Sequence, residues 1–250
     1  MLLVAAAIAL SAFDHSHALW TEVVEAHARA DGVDYKKLKD DRAKLDAYLA
    51  SLETVMPEEF AAWKREQQCA FWIDAYNAYA LRRVVDAYPI ASVRDVGDGT
   101  KEVFDEEFVP LGRLFPEAAD RKLSLNDVAN KILRPKFKDA RVLAALHAPA
   151  RGAPRLARRA FVAEHLDDQL DAQVADWLAD PERNRFDEKN GTIRVSKIFD
   201  WNKGDFVRDA GGVQAWITAR APASERKWLA SAKELKVEFL DYSWKLDEAR

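Results

Sequence analysis

The stretch Cys69-Ala70-Phe71-Trp72-Ile73-Asp74-Ala75-Tyr76-Asn77-Ala78-Tyr79-Ala80-Leu81, continued by Arg82-Arg83-Val84-Val85, decides how this chain folds. It holds no Gly or Pro, several alanines and few β-branched residues, so its spacing predicts a helix. The helix is apolar on nearly every face, which makes it a central, buried one. Two polar side chains interrupt it, Asp74 and Asn77, and a separation of three places them on one helix face. A buried carboxylate or amide without a partner costs about 1–3 kcal/mol, so both must be paired. Two readings follow: they tie loops to the helix, or they form the polar floor of a binding pocket.

Working outward, the 250 residues suffice for one large domain or two small ones, and 49% hydrophobic with 32% charged residues is a globular composition. Eight tryptophans support an aromatic core. A net charge of -4, with basic residues dispersed among acidic ones, argues against a nucleic-acid partner. Cys69 is the single cysteine, so neither an intrachain disulfide nor a cysteine zinc site can form. The histidines, at 15, 17, 27, 147 and 165, show no metal-ligand spacing beyond a conceivable dangling pair at His15 and His17. The expectation is no metal and no cofactor.

At the N-terminus, Leu2 to Phe13 is apolar but too short for a membrane span of about 20 residues. It suits the apolar region of a secretory signal, with Ser16-His17-Ala18 as a small-x-small cleavage site, although a basic n-region is missing. Residues 1–18 are therefore read as a signal segment and 19–250 as one domain, periplasmic or secreted, with no membrane span after signal removal. The alternatives are an ordinary N-terminal helix and an intracellular scaffold.

The rest of the chain reads as α+β: a single, mostly helical domain with a small antiparallel sheet. Helices are expected near residues 20–30, 34–52, after Pro57, from Ser124 to Leu133 before Pro135, over 160–178, over 213–220 and over 224–232. Ser124 with Asp127 forms a capping-box variant. Val103-Phe104 and Phe108-Val109 suggest an extended pair, and Asn190-Gly191 between apolar runs predicts a hairpin. Lys236 to Tyr242 alternates as a terminal strand.

Several segments in order resemble the family called domain of unknown function 547 (DUF547). They are Ala70-Phe71-Trp72-Ile73-Asp74-Ala75-Tyr76-Asn77-Ala78, where the family has A-F-W-I-N-x-Y-N-A, then Tyr88-Pro89 and Leu123 to Val128 with Ile132 to Pro135. Arg141, Gly152-x-Pro154-x-Leu156, Ile198 to Trp201 with Asp205-Phe206, and Phe239 to Leu246 follow. The resemblance implies an exported or membrane-associated bacterial α and β domain without an established activity. Family members carry L-x-D-I-E and R-x-H-x-A-L-x-C-A-S-x-x-C-P-x-L, whose Glu, His and Cys suggest thiol chemistry, because a thiolate needs a nearby base. Here the Glu position is Ala129, the His position Leu143 and the two Cys positions Ala148 and Ala153.

The leading expectation is thus a degenerate, non-catalytic binding domain of the cell envelope. Its partner would be an unknown small molecule or envelope protein, and the four replaced positions should line one shallow apolar hollow. The alternative is a papain-like thiol hydrolase or transferase using Cys69 with His147, since Cys69 opens the central helix and His147 precedes the first lost cysteine. Candidate binding residues are Asp74, Asn77, Arg151 and Arg155, the last two within a basic cluster with Arg158 and Arg159 that could hold an anion. Asp167, Asp168 and Asp171 could hold a cation but suit a solvated acidic face better.

Overall fold

A computed structural model describes residues 12–97, 102–232 and 235–250. Most of the apolar run read as a signal, and part of the loop before Lys101, lie outside the described residues. The central helix is α5 (Arg65–Ala87), and each residue from Cys69 to Leu81 is buried. It stops before Tyr88-Pro89, as the restriction on a residue preceding proline requires.

The helices α1 (Ala18–His27), α2 (Tyr35–Asp40), α3 (Ala43–Thr54) and α4 (Pro57–Ala62) precede it in the chain. Trp20, Val23, Val24 and His27 form the buried side of α1. Between α1 and α2, β1 (Ala28–Arg29) and β2 (Gly32–Val33) pair antiparallel. The single helix expected over 34–52 is two, broken at Asp41 and Arg42 outside α-helical continuity. Aspartate favours turns over helix interiors, and Asp40-Asp41 supplies the break.

Phe13 and His17 also belong to this core: the Phe13 ring meets Phe71 and Trp63, and His17 is buried against Tyr48. A cut after Ala18 would remove both. His15 packs its ring edge-on to Trp63.

After α5 the extended pair expected around 103–109 does not form. Val103–Asp105 is a 3-10 turn, and Val109 exchanges backbone hydrogen bonds with Leu123. The Ser124 cap forms as expected, its hydroxyl accepting from Asp127 N (3.0 Å) while the Asp127 carboxylate accepts from Ser124 N (3.1 Å). From there α6 (Leu125–Asp127) runs through a π segment, Val128–Leu133, into α7 (Arg134–Phe137). The helix therefore continues past Pro135 rather than ending before it. The widened π turn precedes the proline, where an ordinary i−4 hydrogen bond would be lost and the ring would clash.

Two helices follow, α8 (Val142–Ala145) and α9 (Leu166–Ala179). The latter starts later than expected because Ala160 and Phe161 are spent on tertiary bonds, their N–H groups donating to Thr21 Oγ1 and Asp74 Oδ1. The Asn190-Gly191 hairpin joins β3 (Arg185–Asp187) to β4 (Thr192–Val195), with Gly191 in the left-handed region. Then come α10 (Lys197–Trp201), α11 (Lys203–Ala210), α12 (Val213–Arg220), α13 (Ala223–Ser231) and β5 (Lys236–Phe239).

The terminal strand joins β4 in parallel, Thr192 opposite Lys236, so only part of the small sheet is antiparallel. The intervening helices form the long crossover that parallel pairing needs. They enclose a second core in which Trp177 and Phe199 stack 4.5 Å apart beside Phe206 and Trp216. No helix among the described residues is long and apolar enough to cross a membrane.

Candidate functional site

The two polar residues of α5 tie distant segments to it. Asp74 Oδ1 accepts from Trp20 Nε1 (3.1 Å) and from Phe161 N (3.2 Å). Burial raises its carboxyl well above the ordinary carboxylate range, more than these two bonds lower it. Its other oxygen lies 3.5 Å from His17 Nδ1, whose ring burial pushes down to about 4. Asn77 is bidentate toward the backbone: Nδ2 donates to Ala145 O (2.9 Å) and Oδ1 accepts from His147 N (2.8 Å). Neither residue is among those lining the aromatic hollow described below. Both do the first of the two jobs open to them, fastening loops to the helix.

By fixing Ala145 and His147, Asn77 sets the segment that follows α8. His147 turns inward: Nδ1 donates to Pro154 O at 2.8 Å, so Nε2 keeps the lone pair in a fully buried place. The loop from Ala148 to Leu156 then pairs with the chain's last segment. Arg151 N and Gly152 N donate to Lys245 O and Ser243 O, both at 2.9 Å, and Ala150 bridges Leu246. Gly152 is required there, since an added Cβ would come within 2.7 Å of Tyr242 Cδ2 and 2.8 Å of Ser243 N.

This pairing builds a hollow of about 580 Å³. Its apolar floor includes Ala129, Leu143, Ala148 and Ala153, so all four positions line one cavity, as expected. Tyr76, one residue before Asn77, also lines it, and burial raises its phenol. Three further aromatic rings line it from near the C-terminus and α10: Trp201, Tyr242 and Trp244, with centroids 4.5–6.1 Å apart. Trp201 is 52% exposed, an unusual state for so large an apolar ring.

Asn126, Asn130 and Arg134 add a polar lining from α6, the π segment and α7. They form a chain: Asn126 donates to Asp105 (2.7 Å), Arg134 donates to Asn130 (2.6 Å), and Arg134 also pairs with Asp205. No Ser, Thr, Cys, His or Lys lines the hollow among the described residues. It offers aromatic surface, side-chain amides and the carboxylates of Glu102 and Asp105.

Cys69 lies elsewhere. It borders a separate hollow with Arg65, Asp139 and Arg141, and burial raises its thiol to about 12. It precedes Asn77 by eight residues on α5, roughly 12 Å along the axis, whereas His147 is bonded to Asn77. The fold does not bring Cys69 and His147 together. A buried thiol so hard to ionise is also a poor nucleophile.

Of the arginines, Arg155 and Arg158 line a separate hollow of about 540 Å³ together with Arg29. Arg151 donates to Glu248 O (2.9 Å), while Arg155 pairs with Asp180 (3.1 Å) and approaches the buried Asp247 (3.9 Å) together with Arg183 (3.8 Å). Arg158 and Arg159 are exposed. Arg151, Arg155 and Arg183 thus anchor the last residues, which carry Tyr242 and Trp244. On α9, Asp167 and Asp171 are taken by Arg141 at 2.6 and 2.8 Å. No group of carboxylates, histidines or cysteine among the described residues is arranged to hold a metal ion.

The aromatic lining was not foreseen as a site. Its signal was the aromatic content of Ile198 to Trp201 and of Phe239 to Leu246, segments distant in sequence whose meeting only the fold reveals. Comparison with known proteins gives one match: the family model described as "Protein of unknown function, DUF547" covers residues 60–178. No curated protein and no solved structure matches the chain. The matched segment contains the floor of the hollow, and Trp201, Tyr242 and Trp244 lie outside it.

Proposed function

From the premise that this chain belongs to the DUF547 family, which residues 60–178 match, we propose that it is a non-catalytic binding domain of the cell envelope. Its ligand seat is the aromatic hollow. One observation carries this reading: the positions where the family resemblance expects Glu, His and two Cys are Ala129, Leu143, Ala148 and Ala153, and all four line that hollow. A methyl or isobutyl group neither attacks a carbonyl nor moves a proton, but it does shape an apolar floor. The volume falls within the range of small-molecule sites, about 300–1,000 Å³. The envelope location rests on the apolar run from Leu2 to Phe13.

The test has two parts. Crystals soaked with small-ring fragments should show them in the hollow of the wild type and not of Ala148→Phe, and fragments bound only elsewhere contradict the reading. Purified protein should not turn over acyl or peptide substrates. Turnover that disappears in Cys69→Ser would establish the thiol hydrolase instead. Cell fractionation, with N-terminal sequencing of the mature chain, decides the location.

A further inference from the structure

We propose that the ligand of this hollow is a neutral saccharide, a ring face stacked on Trp201 beside Tyr242 and Trp244 and its hydroxyls bonded to Asn126, Asn130 and Asn202. The inference rests on the binding reading above and names the class of ligand.

The first argument is the surface itself. Trp201 is 52% exposed, and its ring is backed by Tyr242 (5.1 Å, inclined at 47°) and Trp244 (6.1 Å, inclined at 27°). A pyranose presents an apolar face of C–H groups between edges of hydroxyls. Flat aromatic surface covers such a face, and side-chain amides, which donate and accept at once, match its edges.

The second argument is charge. Both guanidinium groups of the hollow have an acidic neighbour. Arg134 is held by Asp205 and Asn130, Asp105 receives Asn126, and Arg94 lies 4.0 Å from Glu102. An anionic ligand would have to compete with Asp205 for Arg134 and with Glu102 for Arg94. The Arg94 guanidinium already sits 4.4 Å from the Trp244 centroid, so the open stacking face is that of Trp201. Asn126, Asn130 and Asn202 each already hold a protein partner, but each amide keeps further donor or acceptor capacity that a hydrocarbon ligand would leave unused. A neutral, hydroxyl-rich ring uses the exposed Trp201 face and the spare capacity of these amides together.

The experiment is a calorimetric titration of the full chain with cellohexaose, maltohexaose, chitohexaose and mannohexaose. At least one should bind with Kd on the order of 0.1–1 mM, and Trp201→Ala should weaken it about tenfold. Asn126→Ala should weaken it too, with near-UV circular dichroism establishing that both variants remain folded. Affinity should change less than about twofold when salt is raised, because no net charge is neutralised. Parallel titrations use choline, oligogalacturonate and a neutral apolar peptide. If none of the four saccharides binds at about 10 mM while one of these ligands or a soaked fragment occupies the hollow, the saccharide assignment fails and the binding reading survives. If nothing occupies the hollow, both fail. Saccharide binding unaffected by Trp201→Ala overturns the assignment of the site.

Discussion

Asp74 is the most informative residue to change. Both donors it serves, the Trp20 indole and the Phe161 N–H, reach the same oxygen, Oδ1. The second oxygen has no hydrogen-bond partner among the described residues and faces His17 Nδ1, which is itself bonded to Tyr48 at 2.7 Å. Asp74→Asn keeps an acceptor at Oδ1, matches the carboxyl in shape and carries no proton that can leave. Asp74→Ala strands two buried donors at about 1–3 kcal/mol each, so the expected loss is roughly 2–6 kcal/mol.

The two variants also differ in their dependence on pH. Because burial raises the folded carboxyl above 3.8, the folded chain holds a proton that the unfolded chain releases. The contribution is fully present below 3.8 and falls by about 1.4 kcal/mol per pH unit as pH rises toward the folded pKa. Asp74→Asn removes that decline. Urea denaturation followed by tryptophan fluorescence should find it within about 1 kcal/mol of wild type near pH 4 and more stable than wild type near pH 7. If Asp74→Asn is as damaging as Asp74→Ala throughout, the carboxylate is used in its charged form and the reasoning is wrong.

Three more expectations come from the same packing. His17, held down to about 4 by burial, acts with the opposite sign: the unfolded chain takes up its proton first, so stability falls from pH 6.5 toward 4 by up to about 3 kcal/mol. In the Asp74→Asn background, His17→Gln should flatten that acid-side slope in the same urea titrations, and an unchanged slope refutes the assignment. Gly152→Ala drives a methyl group into Tyr242 and the Ser243 backbone, and should cost about 1–3 kcal/mol in thermal melts while disturbing ligand binding at the hollow. Cys69 should resist iodoacetamide near neutral pH and react once the chain is unfolded in urea, as mass spectrometry would show. Rapid alkylation of native protein would revive the thiol reading.

Much of the scaffold is visible in the sequence because its signals are local. The all-apolar run marks α5, Ser124 and Asp127 mark a helix start, and Asn190-Gly191 marks a hairpin. Such signals use contacts within a few residues. The clustering of Ala129, Leu143, Ala148 and Ala153 was legible only through the resemblance to a family, since methyl groups carry no signature of a site. What was missed depends on long-range packing. The aromatic rings of the hollow arrive from Trp201 and from Tyr242 and Trp244, and the latter are placed by pairing with the Ala148–Leu156 loop. The parallel entry of β5 follows from a crossover that no short motif encodes. Cys69 and His147 look adjacent in role but are separated by two turns of α5, a distance that only the three-dimensional path sets.

The central claim is that the hollow binds and does not react. Uniform labelling of the eight tryptophans with 5-fluorotryptophan gives a fluorine NMR probe at Trp201 and Trp244 as well as in both cores. On titration with an oligosaccharide from the panel above, resonances assigned to Trp201 and Trp244 by substitution should shift, those of Trp20, Trp72 and Trp216 should not, and the sugar should be recovered intact. Shifts confined to the core tryptophans, or a cleaved sugar, would contradict the account.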